Sequence, residues 1–184
     1  MIILPIVIAI LSYAETMTNN SKRTVTLIRH AKSSWSDPSF TDFERPLNKR
    51  GVRDAPRVGA ALSQADLAFD RVLCSEAKRA RQTLSLLKQG IVIDEEIIEY
   101  RHDLYGASAD HLFSCITEQP DSIYNLALVG HNPGMEDLAN SLAEGHTGPM
   151  PTCCVIHLTY ELDDWDDLFQ ERGKVALTIR PRDL

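Results

Sequence analysis

Thr26-Leu27-Ile28-Arg29-His30-Ala31-Lys32 decides the fold of this chain. An apolar, β-branched run reads as a buried strand, and it stops at an Arg-His pair. A strand ending this way delivers a fixed cation and an imidazole to the carboxyl edge of a sheet, where open α/β folds bind ligands. A second apolar run, Leu126-Ala127-Leu128-Val129-Gly130, ends in His131 and leads into Asn132-Pro133-Gly134. An imidazole can attack phosphorus, and a guanidinium can hold phosphoryl oxygens as charge builds on them. In a regular strand Arg29 and His30 leave on opposite faces. The strand must therefore end or bend there for both to reach one anion.

Working outward, strands are expected over residues 24–28, 71–74, 91–93, 126–129, 154–160 and 174–179. Asn48 is placed to cap a helix to about Gln64, with Val52, Ala55, Val58, Gly59 and Leu62 on one face; Pro56 removes a helical N–H there and allows a kink or a later start near Ala55. Ser75 is placed to cap a helix over residues 76–89, stopped by Gly90. Residues 109–118 have helical spacing, and Pro133 is expected at the first position of a helix running through Met135, Leu138 and Leu142. Strands alternating with helices give an α/β domain: three layers, α/β/α, around a mainly parallel sheet. One domain is expected over residues 24–184, preceded by an extension of residues 1–23.

The 43% hydrophobic and 24% charged content excludes a disordered chain. A net charge of -7 disfavours nucleic acid and anionic membranes, so an anionic substrate must be drawn by a local cluster such as Lys49-Arg50, Arg53 or Lys78-Arg79-Arg81. Cys74, Cys115, Cys153 and Cys154 lack C-x-x-C spacing and read as buried reduced thiols, which fits a cytoplasmic location; the adjacent Cys153 and Cys154 should face opposite ways. Residues 1–14 are apolar, too short to span a bilayer and without a basic start. They read either as an upstream-start artefact or loose extension, or as an export signal or anchor. No H-E-x-x-H, carboxylate-rich cluster or G-x-x-x-x-G-K-[ST] motif is present, so neither a metal nor a nucleotide cofactor is expected.

A third basic element, Ser75-Glu76-Ala77-Lys78-Arg79-Ala80-Arg81-Gln82-Thr83, follows a strand and opens a helix, a location that favours anions. Successive residues diverge by about 100° on a helix, so Lys78, Arg79 and Arg81 cannot all face one ligand. Taken together, Arg29-His30-Ala31, this segment and Gly130-His131 resemble the histidine phosphatase superfamily, or phosphoglycerate mutase-like fold. Arg29 to Trp35, Arg45 to Gly51, Leu104-Tyr105-Gly106, Gly130 to Gly134 and Pro151-Thr152 are similar to its SixA-like branch, which is associated with phosphohistidine phosphatase activity. Ala31 stands where the superfamily's usual triplet has Gly.

The resemblance implies that His30 forms a phosphohistidine intermediate, with Arg29, Arg79 and His131 around the phosphoryl group. It also implies a metal-independent hydrolase whose partner is a phosphorylated protein, such as a histidine-containing phosphotransfer domain, or a small phosphorylated substrate. A clear proton-donating carboxylate is missing; Glu99 and Asp103 are candidates by position. An alkoxide leaving group needs such an acid far more than an imidazole does, which favours phosphohistidine as substrate. The alternatives are a small-molecule phosphomonoesterase using Glu99 or Asp103, and a non-catalytic phosphate-binding module.

Overall fold

Strand β1 (Lys22–Arg29) lies inside a six-stranded sheet of order β3-β2-β4-β1-β5-β6 in the computed structural model, which describes residues 22–184. Its neighbour β4 (Asn125–Gly130) runs parallel to it, as do β2 (Arg71–Ser75) and β3 (Ile98–Arg101) beyond. On the other side β5 (Val155–Glu161) is antiparallel to both β1 and β6 (Lys174–Ile179). The sheet is thus mainly parallel, with β5 alone reversed. The expectations about residues 1–14 lie outside the described residues. Among the described residues no helix is long and apolar enough to cross a membrane.

Alternation along the strands builds two cores. Val25, Leu27, Leu126 and Leu128 pack with Leu112, Ile116, Leu138 and Leu142 of helices α3 (Ala109–Thr117) and α4 (Gly134–Leu142). Ile28, Val72, Ala127 and Val129 pack with Ala55, Val58, Leu62, Leu84 and Leu87 of α1 (Lys49–Gln64) and α2 (Lys78–Leu87). This is the three-layer arrangement the sequence pattern implies.

The Asn48 cap and the helix to Gln64 stand as expected, and several other expectations need correction. Helix α1 starts directly after Asn48, whose side chain accepts from Gly51 N–H at 3.0 Å, and it continues through Pro56. Full burial of Ala55, Val58 and Leu62 offsets the roughly 3 kcal/mol that an interior proline costs. Val52, expected on the buried face, is exposed. A Cβ on Gly59 would sit 2.1 Å from Leu87 O, so only glycine lets α1 meet the end of α2 this closely. Residues 91–93 form no strand: Ile91 and Ile93 point inward and Val92 outward, but no ladder partner lies beside them. The edge strand is β3, whose Ile98 pairs with Val72. Helix α4 begins one residue after Pro133. Cys153 and Cys154 precede β5 rather than lying in it, yet their side chains enter opposite cores. All four cysteines are free and buried.

Candidate active site

Three neighbouring parallel strands stop at one edge. Arg29 pairs with Gly130 in register, so His30 and His131 emerge side by side, with ring centroids 4.9 Å apart. The ladder ends at Arg29. His30 N–H then donates to Gly130 O at 3.0 Å, and Cys153 N–H is shared between Arg29 O and His30 O. With the strand ended there, both side chains of the Arg-His pair line the same cavity, of about 340 Å³, as the sequence argument requires. Arg79, from the first turn of α2, and His131 line it too. Lys78 and Arg81 do not: both are exposed, the first over the Phe40 ring and the second over the Tyr100 ring.

The imidazole of His30 is held in a defined orientation. Its Nδ1 lies 2.7 Å from Ala31 O and donates to it, which leaves the lone pair on Nε2, where Arg79 Nε–H donates at 3.2 Å. Burial, reinforced by the charges of Arg79 and Arg29, pushes the His30 pKa down to about 4 despite the opposing Ala31 hydrogen bond. His131 falls to about 3, chiefly through burial and then through His30 and Arg79. Both rings are neutral at pH 7. Ser75, expected to cap a helix, instead closes β2 and places its Oγ 2.8 Å from His131 Nε2. That hydroxyl accepts weakly from Ala77 N–H at 3.3 Å, so its own proton is available to His131 Nε2. When that hydroxyl donates to Nε2, the ring proton of His131 is on Nδ1, which is buried and has no partner.

Two residues of the loop after β1 join the site: Asp42, which the sequence did not mark, and Arg45, which it placed in a motif without a role. Asp42 accepts from Arg79 Nη2 at 2.9 Å through its carboxylate and from Arg79 Nη1 at 2.5 Å through its backbone carbonyl. Its carboxylate also accepts from Tyr105 Oη at 2.7 Å and from Arg45. Partial burial raises the Asp42 pKa, but the Tyr105 hydrogen bond and the two guanidiniums outweigh it and hold the carboxyl below its ordinary value. Arg45 is buried against the Trp35 ring, 3.3 Å from its centroid, and leaves Nε and Nη1 unpartnered. Among the described residues six buried side-chain polar atoms have no partner, and five belong to residues lining this cavity: Arg29 Nε, Arg45 Nε and Nη1, His131 Nδ1 and Asn132 Oδ1. Buried donors left this way cost about 1–3 kcal/mol each, so four of them around one space call for an acceptor-rich ligand. No local pattern marks Asp42, and the motif that contains Arg45 gave it no role; the closing of the loop over α2 makes both part of the site.

The two candidate acids are placed elsewhere. Glu99 pairs with Arg71 at 3.2 Å, and Asp103 accepts from Arg101 at 2.6 and 3.0 Å and from His111 at 2.8 Å. Neither lines the cavity, and those hydrogen bonds, Arg101's first, hold the Asp103 carboxyl far below its usual range. Asp103, His111 and Cys115 do bring ligand atoms within 4.8 Å of one another. The Arg101 fork on Asp103, however, sets a fixed positive charge where a cation would sit.

A cavity of cationic and imidazole donors at the ends of parallel strands defines an anion site on an α/β scaffold. The family model of the histidine phosphatase superfamily (branch 1) matches residues 25–139, and the chain belongs to that superfamily. It is 32% identical over 174 residues to an uncharacterised chloroplastic protein of Arabidopsis thaliana, covering 90% of this chain and 79% of that one. An uncharacterised protein of Mycobacterium tuberculosis is 40% identical over 116 residues, covering 63% and 70%. Among solved structures, a putative phosphohistidine phosphatase SixA from Agrobacterium tumefaciens superposes with a TM-score of 0.72 at 28% identity, covering 86% of this chain and 99% of that one. The likeness falls in the SixA-like branch.

Proposed function

We propose that this protein is a metal-independent phosphatase that hydrolyses phosphohistidine on a protein through a phosphorylated His30. The observation that carries the reading is the convergence of unpartnered buried donors on one cavity beside a neutral imidazole whose lone pair is on Nε2. His30 Nε2 leaves Arg79 Nε, attacks phosphorus in line and forms a new P–N bond. The old P–N bond breaks and its electron pair returns to the substrate imidazole. The substrate imidazole enters protonated on its distal nitrogen and leaves neutral, while His30 takes up the positive charge as a phosphorylated imidazolium, so the step needs no general acid. Arg29, Arg45, Arg79 and His131 Nδ1–H stabilise the three equatorial oxygens. Water then bonds to phosphorus, the P–N pair returns to His30, and dihydrogen phosphate leaves with both water protons.

The carboxylates support the same substrate. Among the described residues Asp42 is the acidic side chain lining the cavity, and three donors keep it ionised at neutral pH. It therefore serves as the counter-ion that orders Arg79 and Arg45, not as a proton donor to an alkoxide. The fixed cations of Arg29, Arg45 and Arg79 replace the charge that a metal ion would otherwise bring to the phosphoryl group.

The test is a comparison of N-phosphoimidazole and a histidine-phosphorylated peptide with sugar phosphates and p-nitrophenyl phosphate. The phosphoramidates should turn over faster, and His30→Ala should cost at least about 10⁴-fold in kcat, as loss of a nucleophile does elsewhere. Acid-labile, base-stable radiolabel should appear on the wild type and not on the variant. Label or turnover that survives His30→Ala, or faster turnover of the sugar phosphates, contradicts the reading.

A further inference from the structure

The chain carries a net charge of -7, yet the surface beside the cavity is basic. Thr152 lines both the cavity and a separate trough of about 290 Å³, to which Arg50, Arg53, Arg180 and Arg182 contribute. Asp54 is the acidic residue in that lining, and its buried carboxylate is already claimed by Arg53 at 2.7 Å, Arg50 at 3.9 Å and Arg57 at 4.0 Å. One anion shared among three guanidiniums leaves positive charge unspent, and Arg180 adds to it, while Arg182 is offset in part by Asp183 at 3.4 Å. Arg50 also borders an open shelf of about 620 Å³ with Lys32, Lys49 and Trp35, and Lys32 and Trp35 return to the cavity wall. Cavity, shelf and trough therefore form one continuous band.

We propose that this band docks the acidic surface surrounding a phosphorylated histidine on a partner protein, a proposal that rests on the phosphohistidine reading above. The reach of the band argues for a polypeptide. A phosphoryl group and one imidazole occupy the cavity, and the shelf and trough extend the basic surface well beyond them. Trp35 is 73% exposed at the junction, and an exposed aromatic among arginines is the composition of protein-interface centres. The net charge of -7 works against an acidic partner elsewhere, so the field favours its approach to this basic face.

Two synthetic peptides carrying one histidine phosphorylated by phosphoramidate provide the test, one flanked by Glu and Asp, the other by Lys. The wild type should favour the acidic peptide by about tenfold or more in kcat/KM, with a preference that shrinks in high salt. In the double variant Arg53→Glu, Arg182→Glu the preference should vanish while N-phosphoimidazole turnover is unchanged. Arg182→Glu alone, at a highly exposed side chain, should halve the preference or more and guards against misfolding of the double variant. Equal rates on the two peptides, or a preference that survives charge reversal, overturn the proposal. Inhibition by tripolyphosphate that is lost on reversal, with no discrimination between peptides, assigns the trough to small polyanions and also overturns it. Tryptophan-fluorescence titration with the unphosphorylated peptides reads docking without catalysis. If N-phosphoimidazole is not hydrolysed while the acidic peptide still binds about tenfold tighter, the catalytic reading fails and the docking surface stands.

Discussion

Strand β1 carries an arginine near each end, Arg23 buried and Arg29 half-buried, and the two do different work. At the amino end Arg23 is 1% exposed. It donates to Asp121 O at 3.1 Å, Ile123 O at 2.8 Å and Asp163 O at 2.5 Å, between the rings of Tyr124 and Trp165. At the carboxyl end Arg29 makes one hydrogen bond, to Met150 O at 2.6 Å, and faces the cavity. Each leaves Nε unpartnered, but Arg23 is walled in by aromatic rings and carbonyls while Arg29 borders open space. A guanidinium spent on its own chain is a structural strut. One with donors left over at a cavity is a binding group. Burial differs between them only in degree; the fate of the remaining donors separates their roles.

Exchanging each arginine for methionine breaks the comparison most sharply. Arg29→Met should lower kcat/KM on N-phosphoimidazole by about 10²–10³-fold, the worth of one preorganised charge donor, with the thermal midpoint nearly unchanged. Arg23→Met removes three hydrogen bonds to carbonyls, of which Ile123 O keeps Trp165 Nε1 as a donor. It should cost about 3 kcal/mol of stability, while kcat of the folded enzyme is kept. Equal effects of the two changes on both readouts would erase the distinction.

Proton linkage sharpens it. His30 and His131 have folded pKa values of about 4 and 3, below the ordinary 6.5, so between those limits the unfolded chain binds more protons. Stability should therefore fall as pH drops from 6.5 towards 4, and urea midpoints taken across that window should show it. The double variant His30→Asn, His131→Gln should flatten most of that slope. His157, whose pKa burial also lowers, leaves a residue of the same sign. A wild-type profile flat across the window would contradict the burial argument.

The smallest expected effect concerns orientation. Ser75→Ala removes the hydroxyl that keeps the His131 ring proton on Nδ1. A loss of about 3- to 10-fold in kcat, with KM little changed, matches one neutral hydrogen bond. Rescue by Ser75→Thr separates positioning from loss of packing.

Legibility followed locality. The strand ends before His30 and His131 were readable because an apolar run and its stop are consecutive residues. The same rule misread residues 91–93, where alternation is present but the ladder partner that makes a strand is absent. Ser75 read as a cap because Ser before a helix usually is one; its true partner, His131, is 56 positions away. Glu99 and Asp103 were plausible acids by position until Arg71, Arg101 and His111 claimed them.

By itself the sequence determined the α/β alternation, the two imidazoles at strand ends and the basic opening of α2, because each is written in a few adjacent side chains. Helix spacing left Lys78, Arg79 and Arg81 open and the family resemblance pointed to Arg79; only the tertiary structure decided that Asp42, 37 positions away, orders it. It also decided that Arg45 joins the cavity with two donors to spare. Such choices depend on which distant groups compete for the same donors once water has been expelled, and that competition exists only in the folded chain.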